Sequence, residues 1–263
     1  MKPRSVSTGS TPVVFDSVFV PLLFGPYAEE TGRRLRGCQA RNIVEIACGT
    51  GATTKALHGA LPDAEIWASD LNQRMVDLAV KRVKSHRVHY EVADVLSLPY
   101  PHKTFDLAVC NFGFTVFPDK LEAHEEIYRV LKPGGSYLMT TWDCLRRSPA
   151  MFAASETLSD FLPAGAPNFL RDVAYAYCDP EVIIRDLANA GFSDVKLETV
   201  GLSQILDARV LGEALTLSPP IRCHLDEQPA GTVEAAATAL VDALMPWDGK
   251  EMAMSAHFAT AVR

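Results

Sequence analysis

The sequence lacks several features that assign proteins to large classes. Its six cysteines are scattered and form no Cys-x-x-Cys pair, which favours reduced thiols. Its net charge of −7 argues against nucleic-acid binding, which normally needs a basic face. The longest early apolar run, 18–24, is far below the roughly 20 residues that cross a bilayer, and the N-terminus lacks a signal-peptide layout. We therefore expect a cytoplasmic protein without a membrane span.

What the sequence does contain is an apolar run ending in an acid and two glycines, Ile-Val-Glu-Ile-Ala-Cys-Gly-Thr-Gly at residues 43–51. With the helix-like segment 52–60, it predicts a strand, a tight turn and a helix N-terminus, where a ligand can approach bare N–H groups. Asp70 follows nineteen residues after Gly51, behind a second strand-like run. Such an acid accepts hydrogen bonds from ribose hydroxyls, so the pattern indicates a nucleoside cofactor.

Strands and helices alternate from residue 42 to 142, which is typical of a parallel sheet. The predicted strands are 42–47, 64–69, 88–93, 105–111 and 135–142. Asn72 is expected to cap the helix that follows the second strand. Lys-Pro-Gly-Gly at 132–135 is expected to be a turn between the helix 121–131 and the fifth strand.

The 263 residues, 48 % of them apolar, suit one large domain or one domain with insertions. The predicted division is an N-terminal arm and helix at 1–37, the cofactor-binding core at 38–142, a cap insertion at 143–178, a core helix and strand at 179–200, a second helical insertion at 201–254 and a last core strand at 255–263. The aromatic-rich arm is either a lid over the cofactor or an element packed on the core.

The glycine turn departs from two common nucleotide motifs. Thr54 stands where the third glycine of a dinucleotide fingerprint belongs, and the Gly-Lys-Ser/Thr of a phosphate-binding loop is missing. A second acid, Asp94, ends the third strand. Together these disfavour a nicotinamide dehydrogenase. Each acid taken alone has a structural alternative, which is to cap the turn or helix that follows it.

Two further segments follow the glycine turn and the two acids along the chain. Phe-Asp-Leu-Ala-Val-Cys-Asn-Phe-Gly at 105–113 supplies a fourth strand with its exit loop, and Arg-Val-Leu-Lys-Pro-Gly-Gly at 129–135 leads into the fifth. Over residues 40–142 the chain resembles the class I S-adenosylmethionine-dependent methyltransferases, in particular the ubiquinone/menaquinone-biosynthesis branch. The resemblance implies an α/β, Rossmann-like, doubly wound fold. Its sheet is seven-stranded and mostly parallel with an antiparallel last strand, and a helical cap covers the carboxyl ends of the strands.

The resemblance also implies a cofactor, S-adenosyl-L-methionine, and residues that hold it. The implied cofactor-binding residues are Glu45, Ala47, Cys48, Gly49, Gly51, Asp70, Leu71, Met75, Asp94, Val95, Asn111 and Phe112.

Each of these residues has an implied role. The glycines admit the methionine moiety, Asp70 holds the ribose, and Leu71 and Met75 pack near the adenine. Asp94 and the Val95 amide meet the edge of the adenine. Asn111 and Phe112 lie beside the sulfonium. Glu45 either organises the turn or reaches the cofactor ammonium through water, and Ala47 occupies a position where many members have glycine.

The sequence offers weaker evidence for a catalytic base and none for a metal. Methyl transfer from a sulfonium needs a base only for some acceptors, alcohols among them. Among the seven histidines, we rank His224 first as a base and His257 lower, with a structural role as the alternative for both. A metal-assisted transfer needs clustered carboxylates after the fourth strand, where Asn111 stands, so no metal is predicted. Asp143, alone after the fifth strand, does not make a site.

The predicted function is therefore methyl transfer to a small or medium organic acceptor through an N, O or C nucleophile, by in-line displacement in which positioning dominates. Two alternatives stay open: an enzyme of this fold that uses the cofactor for a non-methylating reaction such as cyclisation or decarboxylation, and a non-catalytic cofactor-binding subunit. The expected partner is a small-molecule acceptor, and the oligomeric state is open.

Overall fold

The computed structural model describes residues 11–263, which form two compact units. The sheet unit comprises Gly25–Asp143, Tyr177–Val200 and Ser255–Arg263. The helical unit comprises residues 11–24 of the described chain with Cys144–Ala176 and Gly201–Met254. Residues 1–10 of the predicted N-terminal arm lie outside the described residues.

Seven strands form one sheet. They are β1 (Asn42–Ile46), β2 (Glu65–Asp70), β3 (Val88–Val92), β4 (Phe105–Asn111), β5 (Leu131–Trp142), β6 (Ser193–Ile205) and β7 (Glu251–Val262), in the order β3-β2-β1-β4-β5-β7-β6. The strands β1 to β5 pair in parallel, and β7 runs antiparallel to β5. The predicted α/β fold, with its seven-stranded sheet and antiparallel last strand, is confirmed.

Ten α-helices are described: α1 (Thr11–Val14), α2 (Gly25–Leu35), α3 (Ala52–Ala60), α4 (Gln73–Arg82), α5 (Lys120–Val130), α6 (Pro149–Ser159), α7 (Pro180–Asn189), α8 (Ala208–Leu217), α9 (Pro219–Leu225) and α10 (Thr232–Leu244). Phe15–Phe24 and Phe169–Ala174 are π-helical, and Gly113–Thr115, Leu145–Arg147 and Met245–Trp247 are 3₁₀ turns. The predicted Asn72 cap of α4 is confirmed, because its side chain accepts a hydrogen bond from the Arg74 amide at 3.0 Å.

The two faces of the sheet are covered by different helices of the sheet unit. Alternate strand residues such as Val44 and Ala108 pack in one core with Ile127 of α5 and Ile183 of α7. Side chains of the other parity, Asn111 among them, face α2 and α3, to which Asn111 is hydrogen-bonded. Successive strand residues point to opposite faces, so the apolar strands become buried on both sides.

The fifth strand begins earlier than the sequence predicts. The expected turn at 132–135 lies inside β5, and the β4–β5 register shifts there, with Phe105 opposite Leu131 and Leu107 opposite Ser136. Gly134 has φ 77°, a conformation that favours glycine. The last residue of the chain pairs with this bulge: the Gly134 amide donates to the Arg263 carbonyl, and the Arg263 amide donates to the Gly135 carbonyl, both at 2.9 Å. The predicted strand start at residue 135 was therefore wrong.

The helical unit has a core of its own. The helix α10 packs against α8 and α6, and Leu158, Leu211 and Leu240 are fully buried. Gly212 allows this approach, because a Cβ there would lie 2.8 Å from the Val241 backbone nitrogen. No helix within residues 11–263 has the length and apolar character to cross a membrane. The same residues hold no group of three or more metal-ligating side chains.

Candidate active site

The turn after β1 is held in a conformation that suits glycine. Ala47, Gly49 and Gly51 have φ values of 55°, 54° and 84°, all in the left-handed region. The Cys48 amide donates to the Ser69 carbonyl and the Gly51 amide to the Cys48 carbonyl, both at 2.9 Å. Cys48 itself is buried, and burial raises the pKa of its thiol. Ala47 therefore carries a backbone cost that glycine would not, which explains in physical terms why glycine is favoured at this position.

Asp70 joins this turn to the end of β2. One carboxylate oxygen accepts from the Gly49 amide at 2.9 Å, and the other accepts from the Asn72 amide at 2.9 Å. Burial raises the pKa of this carboxyl, and the two amide bonds oppose the rise. The sequence did not reveal that the predicted ribose acceptor also fixes the glycine turn. A carboxylate has about four lone-pair sites, so it can hold the turn and still accept from a ligand.

Glu45 is the most unusual group of the site. It is fully buried in β1, and neither of its carboxylate oxygens has a hydrogen-bond partner of acceptable geometry among the described residues. Burial raises its pKa to about 8. The nearby hydroxyl and amide of Thr54 oppose this rise as potential donors, and the charge of Asp70 adds to it. Buried polar groups in proteins are nearly always paired, so this carboxyl is a group that a cationic ligand would satisfy.

The predicted adenine contacts lie at the ends of β2 and β3. Leu71 is 69 % exposed, Met75 is half-buried on α4 and Val95 is buried. The Ala93 amide donates to the Asp70 carbonyl at 3.1 Å, which ties the loop after β3 to the end of β2. Asp94 is exposed and accepts from the Leu96 amide at 3.0 Å, so the capping role expected as its alternative is present in the structure.

Asn111, at the end of β4, is hydrogen-bonded to three threonines. Its amide nitrogen donates to the Thr31 hydroxyl at 2.9 Å and to the Thr53 hydroxyl at 3.1 Å, and its oxygen accepts from the Thr140 hydroxyl at 2.9 Å. These partners belong to α2, α3 and β5. Asn111 therefore connects three elements around the turn, and its polar atoms are already engaged by the protein.

Phe112 follows in a strained conformation. Its φ is 59°, which is uncommon for a non-glycine residue and is frequent at functional sites. Its ring lies 4.3 Å from Trp142 and 5.5 Å from Tyr27, centre to centre. The next residue, Gly113, packs closely against the glycine turn. A Cβ at this position would lie only 2.8 Å from the Ala47 Cβ. The ends of β4 and β5 thus place a buried cluster of packed aromatic rings beside the turn.

The two histidines considered as bases lie in different units. His224 is half-buried on α9 of the helical unit, and its role as a base stays a prediction. His257 lies in the sheet unit with only 3 % of its side chain exposed, 3.3 Å from Asp143. Asp143, the lone acid after β5, therefore lies beside His257 in the structure. The sequence could indicate this contact only through the pairing of the last strand beside β5.

Comparison with known proteins decides the family. Residues 43–135 match the family model described as a methyltransferase domain. A demethylmenaquinone methyltransferase from Deinococcus radiodurans is 32 % identical over 165 residues, covering 58 % of this chain and 68 % of that protein. The chain belongs to the class I S-adenosylmethionine-dependent methyltransferases of the ubiquinone/menaquinone branch.

Other relatives agree with this. The ubiquinone/menaquinone biosynthesis C-methyltransferase UbiE of Hydrogenovibrio crunogenus is 31 % identical over 65 % of this chain and 72 % of its own. A demethylmenaquinone methyltransferase from Lactobacillus johnsonii is 37 % identical over a shorter stretch, 35 % of this chain and 40 % of its own.

Two solved structures share the fold at low sequence identity. YcgJ from Bacillus subtilis has a TM-score of 0.58 at 16 % identity, covering 90 % of this chain and 98 % of its own. Phosphoethanolamine N-methyltransferase 2 of Haemonchus contortus, solved with S-adenosyl-L-methionine, has a TM-score of 0.60 at 19 % identity, covering 97 % of this chain and 56 % of its own.

The protein is thus an S-adenosylmethionine-dependent methyltransferase, and the site fits that cofactor. The left-handed glycine turn, the acid at the end of β2 and the unpaired Glu45 carboxyl match the chemistry of a ligand with an ammonium group and a ribose. The predicted family, fold, enzyme class and cofactor are all confirmed by these comparisons.

Proposed function

We propose that this methyltransferase methylates a ring carbon of a small aromatic acceptor of the hydroquinone class. The observation that carries the proposal is the similarity to relatives that are named as quinone-biosynthesis methyltransferases. The site supports it in two ways. Phe112 and Trp142 place a buried aromatic pair at the ends of β4 and β5, and flat rings pack well against aromatic surroundings. Asn111 is engaged by three threonines, which leaves aromatic contact as the main mode of recognition there.

The cofactor roles implied by the family resemblance form part of the same proposal. When bound, the cofactor supplies a methyl group on a positively charged sulfur. Gly49 and Gly51 would keep backbone close to its amino-acid end, and Glu45 would organise the turn or reach the cofactor ammonium through water. Asp70 would accept from the ribose hydroxyls while it holds the Gly49 amide. Since the methyl group is already activated, the protein contributes mainly by positioning the acceptor and excluding water. A cytoplasmic location and a small-molecule partner belong to this proposal too.

The function is tested with the purified protein, cofactor labelled in the methyl group, and reduced 1,4-naphthoquinone as acceptor. We expect a product with one labelled methyl group on a ring carbon, identified by mass spectrometry and NMR. Phosphoethanolamine and an aliphatic alcohol serve as comparison acceptors, since they would report N- and O-methylation. Label found only in one of these, or cofactor binding without any transfer, would contradict the proposal.

Asp70→Asn is expected to weaken binding of S-adenosylhomocysteine by roughly 30- to 150-fold, which corresponds to about 2–3 kcal/mol for hydrogen bonds to a charged group. Asparagine keeps one acceptor oxygen for the turn but loses the charge and the second acceptor. Isothermal calorimetry measures the affinity, and urea unfolding shows whether the turn survives. Asp63→Asn, at an exposed position, is the matched control. Affinity within threefold of wild type would remove Asp70 from the cofactor site.

A further inference from the structure

The hydrogen bonds around Asn111 have directions that follow from their partners. The Thr31 hydroxyl donates its single hydrogen to the Tyr27 carbonyl at 3.0 Å. Thr31 can therefore only accept from Asn111, whose amide nitrogen lies 2.9 Å from the Thr31 hydroxyl and 3.1 Å from the Thr53 hydroxyl. The Asn111 oxygen accepts from the Thr140 hydroxyl at 2.9 Å. The donors and acceptors of the Asn111 amide are thus fixed by the threonines around it.

Thr53 differs from the other two threonines in the use of its hydrogen. The hydroxyls of Thr31 and Thr140 both donate within the protein. The Thr53 hydroxyl accepts from Asn111, and its own hydrogen has no acceptor among the described residues 11–263. Thr53 is only 8 % exposed, and buried polar groups are nearly always satisfied. Its hydroxyl is therefore a buried donor that a ligand would satisfy.

The position of Thr53 in the chain indicates what kind of ligand this would be. Thr53 lies in the first turn of α3, which begins directly after Gly51, and no side chain caps this end of the helix. The first amides of a helix have no acceptor within the helix itself, and they carry the positive end of its dipole. The Thr53 hydroxyl adds a further donor to this group. Such a group of donors favours an anion.

The same short segment also holds a group of the opposite kind. Glu45 is fully buried, and its carboxylate oxygens have no partner of acceptable geometry among the described residues. Its carboxyl lies near Thr54, the residue that follows Thr53 on α3. Residues 45–54 therefore combine a set of donors with one unpaired acid. This combination is complementary to an amino acid in its zwitterionic form, which carries a carboxylate and an ammonium group.

We infer that the Thr53 hydroxyl donates to the carboxylate at the amino-acid end of the cofactor, with Asn111 as the positioning residue. This inference rests on the cofactor placement in the proposed function, which puts that end at Gly49 and Gly51. Asn111 acts by donating to the Thr53 oxygen, because the hydroxyl hydrogen then cannot point toward the Asn111 amide. The two residues together would distinguish the cofactor from adenosine derivatives that lack the carboxylate.

The test compares two ligands with Thr53→Val, which keeps the branched shape of threonine and removes the hydroxyl. The ligands are S-adenosylhomocysteine and its decarboxylated analogue, which retains the ammonium group. We expect calorimetry to show about 10- to 100-fold weaker binding of S-adenosylhomocysteine, the usual effect of losing a hydrogen bond to a charged group. The affinity for the analogue is expected to change by less than about threefold, because it offers no carboxylate to the hydroxyl. Equal losses for both ligands would indicate a merely structural role and overturn the inference.

Thr31→Val is the matched control, because it removes the other hydroxyl that accepts from the Asn111 amide. The Thr31 hydrogen is already used by Tyr27, so the ratio of the two affinities is expected to stay within about twofold of wild type. Thr53→Ser keeps a hydroxyl and is expected to restore the ratio. Thr53→Ala provides the same comparison as valine with a smaller side chain, and urea unfolding shows which variants fold. A ratio lowered equally by Thr31→Val and Thr53→Val would overturn the inference.

Asn111→Ala tests the positioning role. Without the Asn111 amide the Thr53 hydrogen can turn freely, so the ratio of the two affinities is expected to fall by about three- to tenfold. In the double variant of Asn111→Ala and Thr53→Val, the ratio is expected to equal that of Thr53→Val alone, because no hydroxyl is left to orient. Effects of the two substitutions that simply multiply would overturn the role of Asn111.

Failure of the proposed function looks different from failure of this inference. The binding measurements contain no methyl acceptor, so a wild-type protein that methylates no hydroquinone can still show the expected ratios. Equal wild-type affinities for S-adenosylhomocysteine and the decarboxylated analogue would mean that the protein does not recognise the carboxylate. That result would overturn the inference and leave the outcome of the methylation assay unaffected.

Discussion

Gly51→Ala is expected to lower the free energy of unfolding by roughly 2–5 kcal/mol. Two separate costs add up at this position. Gly51 has φ 84°, and a side chain in the left-handed region costs about 1–2 kcal/mol. In addition, the new Cβ would lie 2.9 Å from the Cα of Ala79 on α4, and forcing extra atoms into a packed contact costs about 1–3 kcal/mol. The backbone of Ala79 can move only if α4 moves.

Gly37→Ala separates the two costs. Gly37 has nearly the same conformation, with φ 82°, but beyond its chain neighbours no atom lies within 4 Å of the position that a Cβ would take there. This variant is therefore expected to lose about 1–2 kcal/mol, the conformational part alone. Urea unfolding of both variants and of wild type measures the difference. Equal losses would mean that the approach of α4 to the turn contributes nothing to stability.

The Gly51 contact also shows what the sequence can and cannot predict. The glycine turn, the strands beside it and the Asn72 cap are local patterns, and the sequence predicted them to within a few residues. The sequence explained only one of the two requirements for glycine at position 51. Ligand access was predicted from the motif, but the packing of Ala79 depends on how α3 and α4 meet, which no local pattern encodes.

The three hydrogen bonds of Asn111 could not be predicted from the sequence, for the same reason. Its partners, Thr31, Thr53 and Thr140, come from three elements that are far apart in the sequence. A threonine has no feature that marks it in advance as a partner of a distant amide. The sequence therefore placed Asn111 correctly at the end of β4 while leaving its three contacts undetermined.

Asp143 illustrates a second limit. Its partner Ser255 is 112 residues away, and their contact exists only because β7 inserts between β5 and β6 in the sheet. The predicted last strand began at residue 255, but its true start is Glu251. Register across such a long connection is set by the alternation of buried side chains along both strands. It becomes visible only once the pairing is known.

Glu45→Gln is expected to stabilise the protein at pH 8 by up to about 5 kcal/mol. The folded protein raises the pKa of Glu45 from 4.5 to about 8. Below pH 4.5 the carboxyl is neutral in both states, and the variant and wild type should be similarly stable. Between pH 4.5 and 8 the unfolded chain releases the proton and the folded chain retains it. Wild-type stability therefore falls by about 1.4 kcal/mol per pH unit across this window, and the glutamine variant lacks this decline.

Urea unfolding at pH 5, 6, 7 and 8 measures the difference between the two proteins, which should grow with pH. Glu125→Gln, exposed on α5, is the matched control and should change the free energy of unfolding by less than about 0.5 kcal/mol. A difference between Glu45→Gln and wild type that is constant with pH would mean that Glu45 ionises as readily inside the protein as outside it.

The retention of a destabilising carboxyl needs a functional reason, and ligand binding offers one. If the ionised carboxylate faces the cofactor ammonium, binding of S-adenosylhomocysteine at pH 7 should release close to one proton from wild type and none from Glu45→Gln. Calorimetry in two buffers with different ionisation enthalpies counts these protons. A gain in stability coupled to a loss of affinity in the same variant would show that the site keeps an unpaired buried acid because its partner is the ligand. Binding without proton release would assign Glu45 to the turn alone.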